Sequence, residues 1–250
     1  MPQAFSISTP ETFPIRIEPC PIVEAVFEVR FVGPESWETV PGLLYAQIRE
    51  KYNEQQIMPG PLVSEESRRQ DPALPYTPRM QFLSKDFRIQ LGPRVVTLVT
   101  KPMTYPGWQA IQEELGWFIQ RIKAAGFVGE TERLGVRYID FFEGDVFPNL
   151  RLHVAVNDQP LYGHETDVRT VSQGGKIFIS LRINNAIVFS SPQGPKPGSM
   201  VDLDGWLGPL EVDLFENGLA QFGETHHAIK RLFFGLLKPE FLATLNPVYV

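Results

Sequence analysis

The sequence predicts an α+β protein in which antiparallel sheet is covered on one side by helices. Short segments alternate apolar and charged residues with a period of two, and Ala25, Phe27, Val29 and Phe31 share one face of the clearest of them. Two longer segments carry apolar residues every three or four positions, which is the helical spacing. The order strand, helix, meander, helix occurs twice, which favours segregated strands and helices in a duplicated unit.

The first half of the chain begins with a predicted strand over residues 23–32 and a helix over residues 37–52. Residues 57–79 contain five prolines and a polar run, which predicts a long mobile loop. Turn residues then separate three short strands of an antiparallel meander. A helix over residues 108–126 follows, ended by Gly126. The meander strands are predicted at residues 80–83, 87–91 and 95–100.

The second half repeats this order with more strands. A Pro/Gly-rich loop is predicted at residues 190–198, and a final helix at residues 215–237. Weak local similarities suggest two related halves, residues 21–126 and 130–240, within a single domain of residues 1–250. The strands are predicted at residues 132–142, 150–157, 167–172, 176–184 and 200–206.

Composition narrows the functional classes. The 250 residues are 43% apolar and 21% charged, as in ordinary soluble proteins. The net charge of −6 argues against general nucleic-acid binding, which needs a basic surface. Cys20 is the only cysteine, so no intrachain disulfide forms. Without an apparent signal peptide or a membrane-length apolar run, we expect a cytoplasmic protein that binds no membrane.

The side of the strands that faces away from the core carries charges of both signs. Arginines in such positions can bind a phosphate or carboxylate ligand bidentately. The alternative is a network of ion pairs in which acidic residues neutralise the arginines across the sheet. The candidate binding residues are Arg30, Arg88, Arg137, Arg182, Glu24, Glu28, Asp202 and Asp204.

Two features bear on catalysis. Asp202 and Asp204 point to the same side of a strand and could share a Mg²⁺ ion, or could instead pair with Arg137 or Arg182. His226 lies on an apolar helical stripe and is predicted to be a buried, hydrogen-bonded core residue, with His227 exposed. The chain lacks a phosphate loop, a nucleophile elbow, a zinc-protease motif and a dinucleotide fingerprint, so we expect no cofactor.

Several segments together resemble a sporadically distributed family of uncharacterised bacterial proteins of about 250 residues. The resemblance extends from about residue 20 to residue 240 and implies an accessory or mobile-element role without an assigned activity. It rests on the first strand around Pro21 and Glu24, Tyr105-Pro-Gly-Trp108, Leu134-Gly-Val-Arg-Tyr138 and the last helix from His226 to Phe233.

The leading functional hypothesis is a cytoplasmic bacterial protein, not an enzyme, that binds a protein partner or a small ligand. It would use the mixed-charge sheet face or a cleft between the two halves. One alternative is a metal-dependent hydrolase or nuclease using Asp202 and Asp204, with Glu24 or Glu28 as an additional acid. The other is a small-molecule sensor with a pocket between the halves.

Overall fold

Nine strands form one sheet that dominates the computed structural model, which describes residues 12–59, 73–161, 163–191 and 194–249. The strands are β1 (Ile22–Val32), β2 (Glu54–Ile57), β3 (Met80–Leu83), β4 (Phe87–Gly92), β5 (Val95–Thr100), β6 (Glu130–Glu143), β7 (Ala155–Val156), β8 (Gln159–Pro160), β9 (Asp167–Gly174), β10 (Ile177–Ser191) and β11 (Gly194–Leu207). The helices are α1 (Val40–Ile48), α2 (Trp108–Ala125), α3 (Leu214–Leu236) and α4 (Pro239–Thr244).

The strand order across the sheet is β2-β3-β4-β5-β1-β6-β11-β10-β9, and β7 pairs separately with β8. The predicted meander is confirmed, because β3, β4 and β5 pair antiparallel with their sequence neighbours. Strand β1 pairs antiparallel with β5, so the chain returns to the sheet beside its own first strand. The predicted α+β class, with an antiparallel sheet and helices packed on it, is therefore correct.

The chain divides into two compact units, with boundaries that fall inside β1, β6, β11 and α3. The first unit comprises Ala25–Val136 and Trp206–Glu224. The second unit comprises the chain up to Glu24, Arg137–Gly205 and the chain from Thr225 onward. The predicted division into two related halves stays a prediction.

In the first unit, strand β1 presents its predicted apolar face to the helices. Phe27 is fully buried, with its ring centroid 6.1 Å from that of Trp108 on α2 and 6.0 Å from that of Phe222 on α3. Helix α2 ends as predicted, because Gly126 adopts φ +72° and donates its N–H to the Ile122 carbonyl. Strand β5 is buried at all six positions, so in this strand both sides of the sheet are shielded from water.

In the second unit, α3 packs closely against β11. A methyl group added at Gly205 would lie 2.9 Å from Ile229 Cδ1 and 3.0 Å from Thr225 Cγ2. The absence of a side chain at this position therefore sets how near the helix can approach the strand. None of the helices in the described residues is long and apolar enough to cross a membrane.

Two predictions in the first half were wrong in detail. The helix predicted over residues 37–52 spans only Val40–Ile48, and the chain then forms β2, which the sequence did not indicate. All four β2 residues are exposed, so the sequence has no alternation of apolar residues that would predict this edge strand. Of the predicted loop at 57–79, residues 60–72 lie outside the described residues, and Leu74–Tyr76 form a 3-10 turn.

Two further predictions failed in the second half. The strand predicted over residues 150–157 is reduced to β7, since Phe147–Asn149 form a 3-10 turn just before it. The loop predicted over residues 190–198 belongs largely to β10 and β11. The Gly144 N–H donates to the Pro197 carbonyl, and β6 ends at Glu143. Pro195 and Pro197 therefore direct the positions of their missing N–H groups beyond the end of β6, so β11 tolerates them.

Candidate functional site

In the second unit, Arg137 and Asp202 form a bidentate ion pair across β6 and β11. Arg137 Nε donates to Asp202 Oδ1 at 2.7 Å, and Nη2 donates to Oδ2 at 2.6 Å. The hydrogen bond to Asp202 raises the pKa of Arg137, and the nearby charges of Asp204 and Glu24 raise it further. The predicted pairing of Asp202 with an arginine is therefore confirmed.

Arg182, the other arginine considered for this pair, bonds elsewhere. Its Nε donates to Asp167 Oδ1 at 2.9 Å on the neighbouring strand β9. This bond raises the pKa of Arg182 and lowers that of Asp167. Within the described residues, no three His, Cys, Asp or Glu side chains are grouped in a way that could hold a metal ion.

Asp140, on β6 in the second unit, is a buried carboxylic acid. Only 2% of its surface is exposed. Burial raises the pKa of its carboxyl to about 8, and the negative charge of Asp202 adds to this effect. Asp140 therefore stays largely protonated and uncharged near neutral pH.

His226 is confirmed as a buried, hydrogen-bonded residue of α3. Its Nδ1 lies 2.8 Å from the hydroxyl of Tyr138 on β6. Burial lowers the pKa of His226 to about 3, so the ring is neutral at physiological pH. His227 is exposed, as predicted. The hydrogen bond between His226 and Tyr138 joins α3 to β6. We attribute this contact to the packing of the helix on the sheet.

In the first unit, the side of the sheet opposite α2 and α3, here called the polar face, carries a row of polar side chains. Each residue stands directly opposite the next on the adjacent strand, so the row crosses five strands from β2 to β1. Directly opposed residues of an antiparallel pair lie on the same face. This polar row consists of Gln56, Gln81, Gln90, Thr97 and Glu28.

The polar row is only partly satisfied by its own members. Gln81 Nε2 donates to Gln56 Oε1 at 2.8 Å. Gln81 Oε1 and Thr97 Oγ1 are both buried and have no hydrogen-bond partner among the described residues. A buried polar atom without a partner costs about 1–3 kcal/mol, so two such oxygens in one row call for an explanation.

A cluster of charged and aromatic side chains lies beside the Glu28 end of the row. The guanidinium carbons of Arg30 and Arg94 lie 4.5 and 5.4 Å from the centroid of the Tyr76 ring. The Tyr76 hydroxyl donates to Glu132 Oε2 at 2.9 Å, and Arg94 pairs with the other oxygen of that carboxylate. Arg30, Tyr76, Arg94 and Glu132 are called the arginine–tyrosine cluster below.

Glu28 joins the polar row to this cluster. Its Oε1 accepts a hydrogen bond from Arg30 Nε at 2.8 Å and also pairs with Arg133. The Arg133 guanidinium in turn lies 5.1 Å from the centre of the Trp206 ring. A continuous set of charge-assisted and cation–π contacts therefore extends along the polar face of the first unit.

The eight predicted site residues thus fall into groups. Glu28 and Arg30 bond to each other on the polar face, and Arg88 lies on the same side, two positions from Gln90 along β4. In the second unit, Arg137 and Asp202 bond directly, and Arg182 bonds to Asp167. The charges of Glu24 and Asp204 act on Arg137.

Sequence reasoning missed Tyr76, Arg94, Glu132 and the burial of Asp140. Tyr76 lies within the predicted loop over residues 57–79 and Arg94 lies in a turn, so neither belonged to an alternating pattern. For Asp140 a signal existed, because it shares strand parity with Tyr138 and Phe142, both of which are buried. That parity alone places the carboxyl toward the core.

Comparison of the chain with protein-family models and with curated proteins gave no match.

Proposed function

We propose that this protein is a binding protein, not an enzyme, whose polar face recognises a protein partner. The arginine–tyrosine cluster is the observation that carries the proposal. Arg30 and Arg94 keep 33% and 38% of their side chains exposed while flanking one tyrosine ring. Half-exposed ion pairs contribute only about 0–1 kcal/mol each to folding, so stability is a weak reason for this arrangement. Arginine and tyrosine are enriched at binding hot spots.

We also infer the cellular compartment of the protein from its cysteine content. Cys20 is the only cysteine of the chain, so the fold does not depend on an intrachain disulfide. Such a fold suits a reducing compartment, and we place the protein in the cytoplasm.

Site-specific crosslinking tests the proposal. A photo-crosslinking residue replaces either Gln56, at the exposed end of the polar row, or Glu113, exposed on α2. In cells that produce the protein, we expect a discrete protein adduct from position 56 and none from position 113. The double substitution Arg30→Gln and Arg94→Gln should abolish that adduct, because it removes both guanidinium groups beside Tyr76.

The matched control is Arg121→Gln, which removes an arginine 5.4 Å from an aromatic ring centre, that of Trp117 on α2. This variant should keep the adduct. Thermal unfolding of each variant verifies that the fold is intact. Equal adducts from positions 56 and 113, or none from position 56, would refute the proposed function.

A further inference from the structure

We propose that the partner contributes an extended acidic segment, whose carboxylate binds the guanidinium groups of Arg30 and Arg94. This inference rests on the proposed function, since it names the chemistry that the polar face recognises. The peptide backbone next to the carboxylate lies against the polar row. Both contacts belong to the first unit.

The hydrogen-bonding capacity of the two arginines supports an anionic ligand. A guanidinium group carries five N–H donors. Arg30 directs Nε and Nη2 to Glu28, and Arg94 directs Nη2 to Glu132 and Nε to the Phe31 carbonyl. The other N–H groups of both arginines have no acceptor among the described residues, and both side chains reach solvent. They are therefore available to a carboxylate from outside.

The charges around Tyr76 also favour an anionic ligand. Two positive groups lie within 5.5 Å of the centre of one ring, where they repel each other. Glu28 divides its charge between Arg30 and Arg133, so Arg30 is only partly neutralised. An incoming carboxylate relieves this repulsion and forms charge-assisted bonds, which are about twice as strong as neutral ones.

The overall charge decides between a short acidic peptide and a nucleic acid. A chain with net charge −6 repels a polyanion at long range, and a nucleic acid would require a larger basic area than this cluster. A peptide with one or two carboxylates experiences much less of that repulsion. The peptide is therefore the favoured ligand.

The polar row supplies the complementary contacts for a peptide backbone. Gln81 Oε1 and Thr97 Oγ1 are acceptors without partners, and backbone N–H groups are donors. Gln90 stands between them in the row and offers both an acceptor and two donors. Because the two oxygens are buried, the side chains that cover them must move to admit the peptide.

Selection from a randomised peptide library displayed on phage tests the inference with the full chain as bait. We expect Asp and Glu to be enriched in peptides selected by the native protein, and this enrichment to vanish for the Arg30→Gln/Arg94→Gln variant. A selected peptide, measured by fluorescence anisotropy, should bind at least tenfold more weakly when its acidic residues become Asn or Gln. Arg121→Gln should leave its affinity unchanged.

Other results would overturn the inference. Selected peptides without acidic enrichment, or equal affinity for acidic and amide peptides, would reject a carboxylate-binding role even if crosslinking at position 56 persists. Tighter binding of a single-stranded oligonucleotide than of any selected peptide would replace the peptide by a nucleic acid. The absence of any adduct from position 56 in the otherwise native protein would instead reject the proposed function itself.

Discussion

At the scale of single residues, Asp140 and His226 give the stability of the protein opposite dependences on pH. The folded Asp140 carboxyl has a pKa of about 8, above the value of about 4 in an unfolded chain. Between these values the folded state holds the extra proton, so the free energy of unfolding falls as pH rises. His226, with a folded pKa of about 3, binds its proton only in the unfolded state between pH 3 and about 6.5. Its contribution therefore grows as pH rises.

Above about pH 6.5 the unfolded histidine loses its remaining protons, so its opposing contribution fades and the Asp140 effect dominates. We predict that the free energy of unfolding falls by about 1–2 kcal/mol between pH 6.5 and pH 8, with a slope of at most about 1.4 kcal/mol per pH unit that decreases toward pH 8. Asp140→Asn keeps the shape of the side chain without its charge, and should reduce this slope. Urea unfolding at the two pH values measures it, and an unchanged slope in the variant would show that Asp140 is not the cause.

At the scale of secondary-structure elements, the contact of β11 with α3 depends on the missing side chain at Gly205. A Cβ there would meet Ile229 and Thr225 at 2.9–3.0 Å, closer than carbon atoms normally pack. The strand and the helix would have to separate slightly or Ile229 would have to change rotamer. Either response disturbs the packing of the second unit.

We therefore predict that Gly205→Ala destabilises the protein by about 1–3 kcal/mol, the usual range for overpacking. Ile229→Val removes the Cδ1 atom nearest to the added methyl group. Combined with Gly205→Ala, it should cost less than the two single changes added together. A thermal or urea double-mutant cycle measures the difference. Strict additivity would mean that the two side chains do not compete for the same space.

At the scale of the whole molecule, β2 and β9 are the edge strands of the sheet that the described residues form. An edge strand exposes unpaired backbone groups that can pair with another chain. From Asp167 to Val171, strand β9 alternates exposed and half-buried residues, and Val171 is 38% exposed. Arg169, also exposed, places a charge in the middle of this edge. The negative net charge of the chain adds a general repulsion between molecules.

We predict that Arg169→Val increases self-association, because it turns the exposed edge of β9 into an uninterrupted β-prone segment. Static light scattering at 37 °C and at increasing protein concentration measures this effect. Arg49→Val, which also removes one exposed arginine but lies after α1, is the control for charge. If both variants associate to the same extent, net charge rather than the strand edge is responsible.

Sequence patterns predict what depends on local periodicity. The buried face of β1, the end of α2 at Gly126 and the environment of His226 follow from spacing within one element. Ion-pair partners could not be assigned in the same way. Whether Arg182 bonds to Asp202 or to Asp167 depends on which strands are neighbours and on their register, and both arise from long-range pairing.

The polar row limits which substitutions related sequences can accept. Its five members are neighbours only through strand pairing. They are spread along the chain from Glu28 to Thr97 and form no linear motif. A search for a short sequence signature of the site would therefore fail in related chains. Substitutions at opposed positions such as Gln81 and Gln90 should instead occur together, because each side chain determines which polar group its neighbour can tolerate. Pairwise covariation between these positions, rather than identity at single positions, would reveal this site in related sequences.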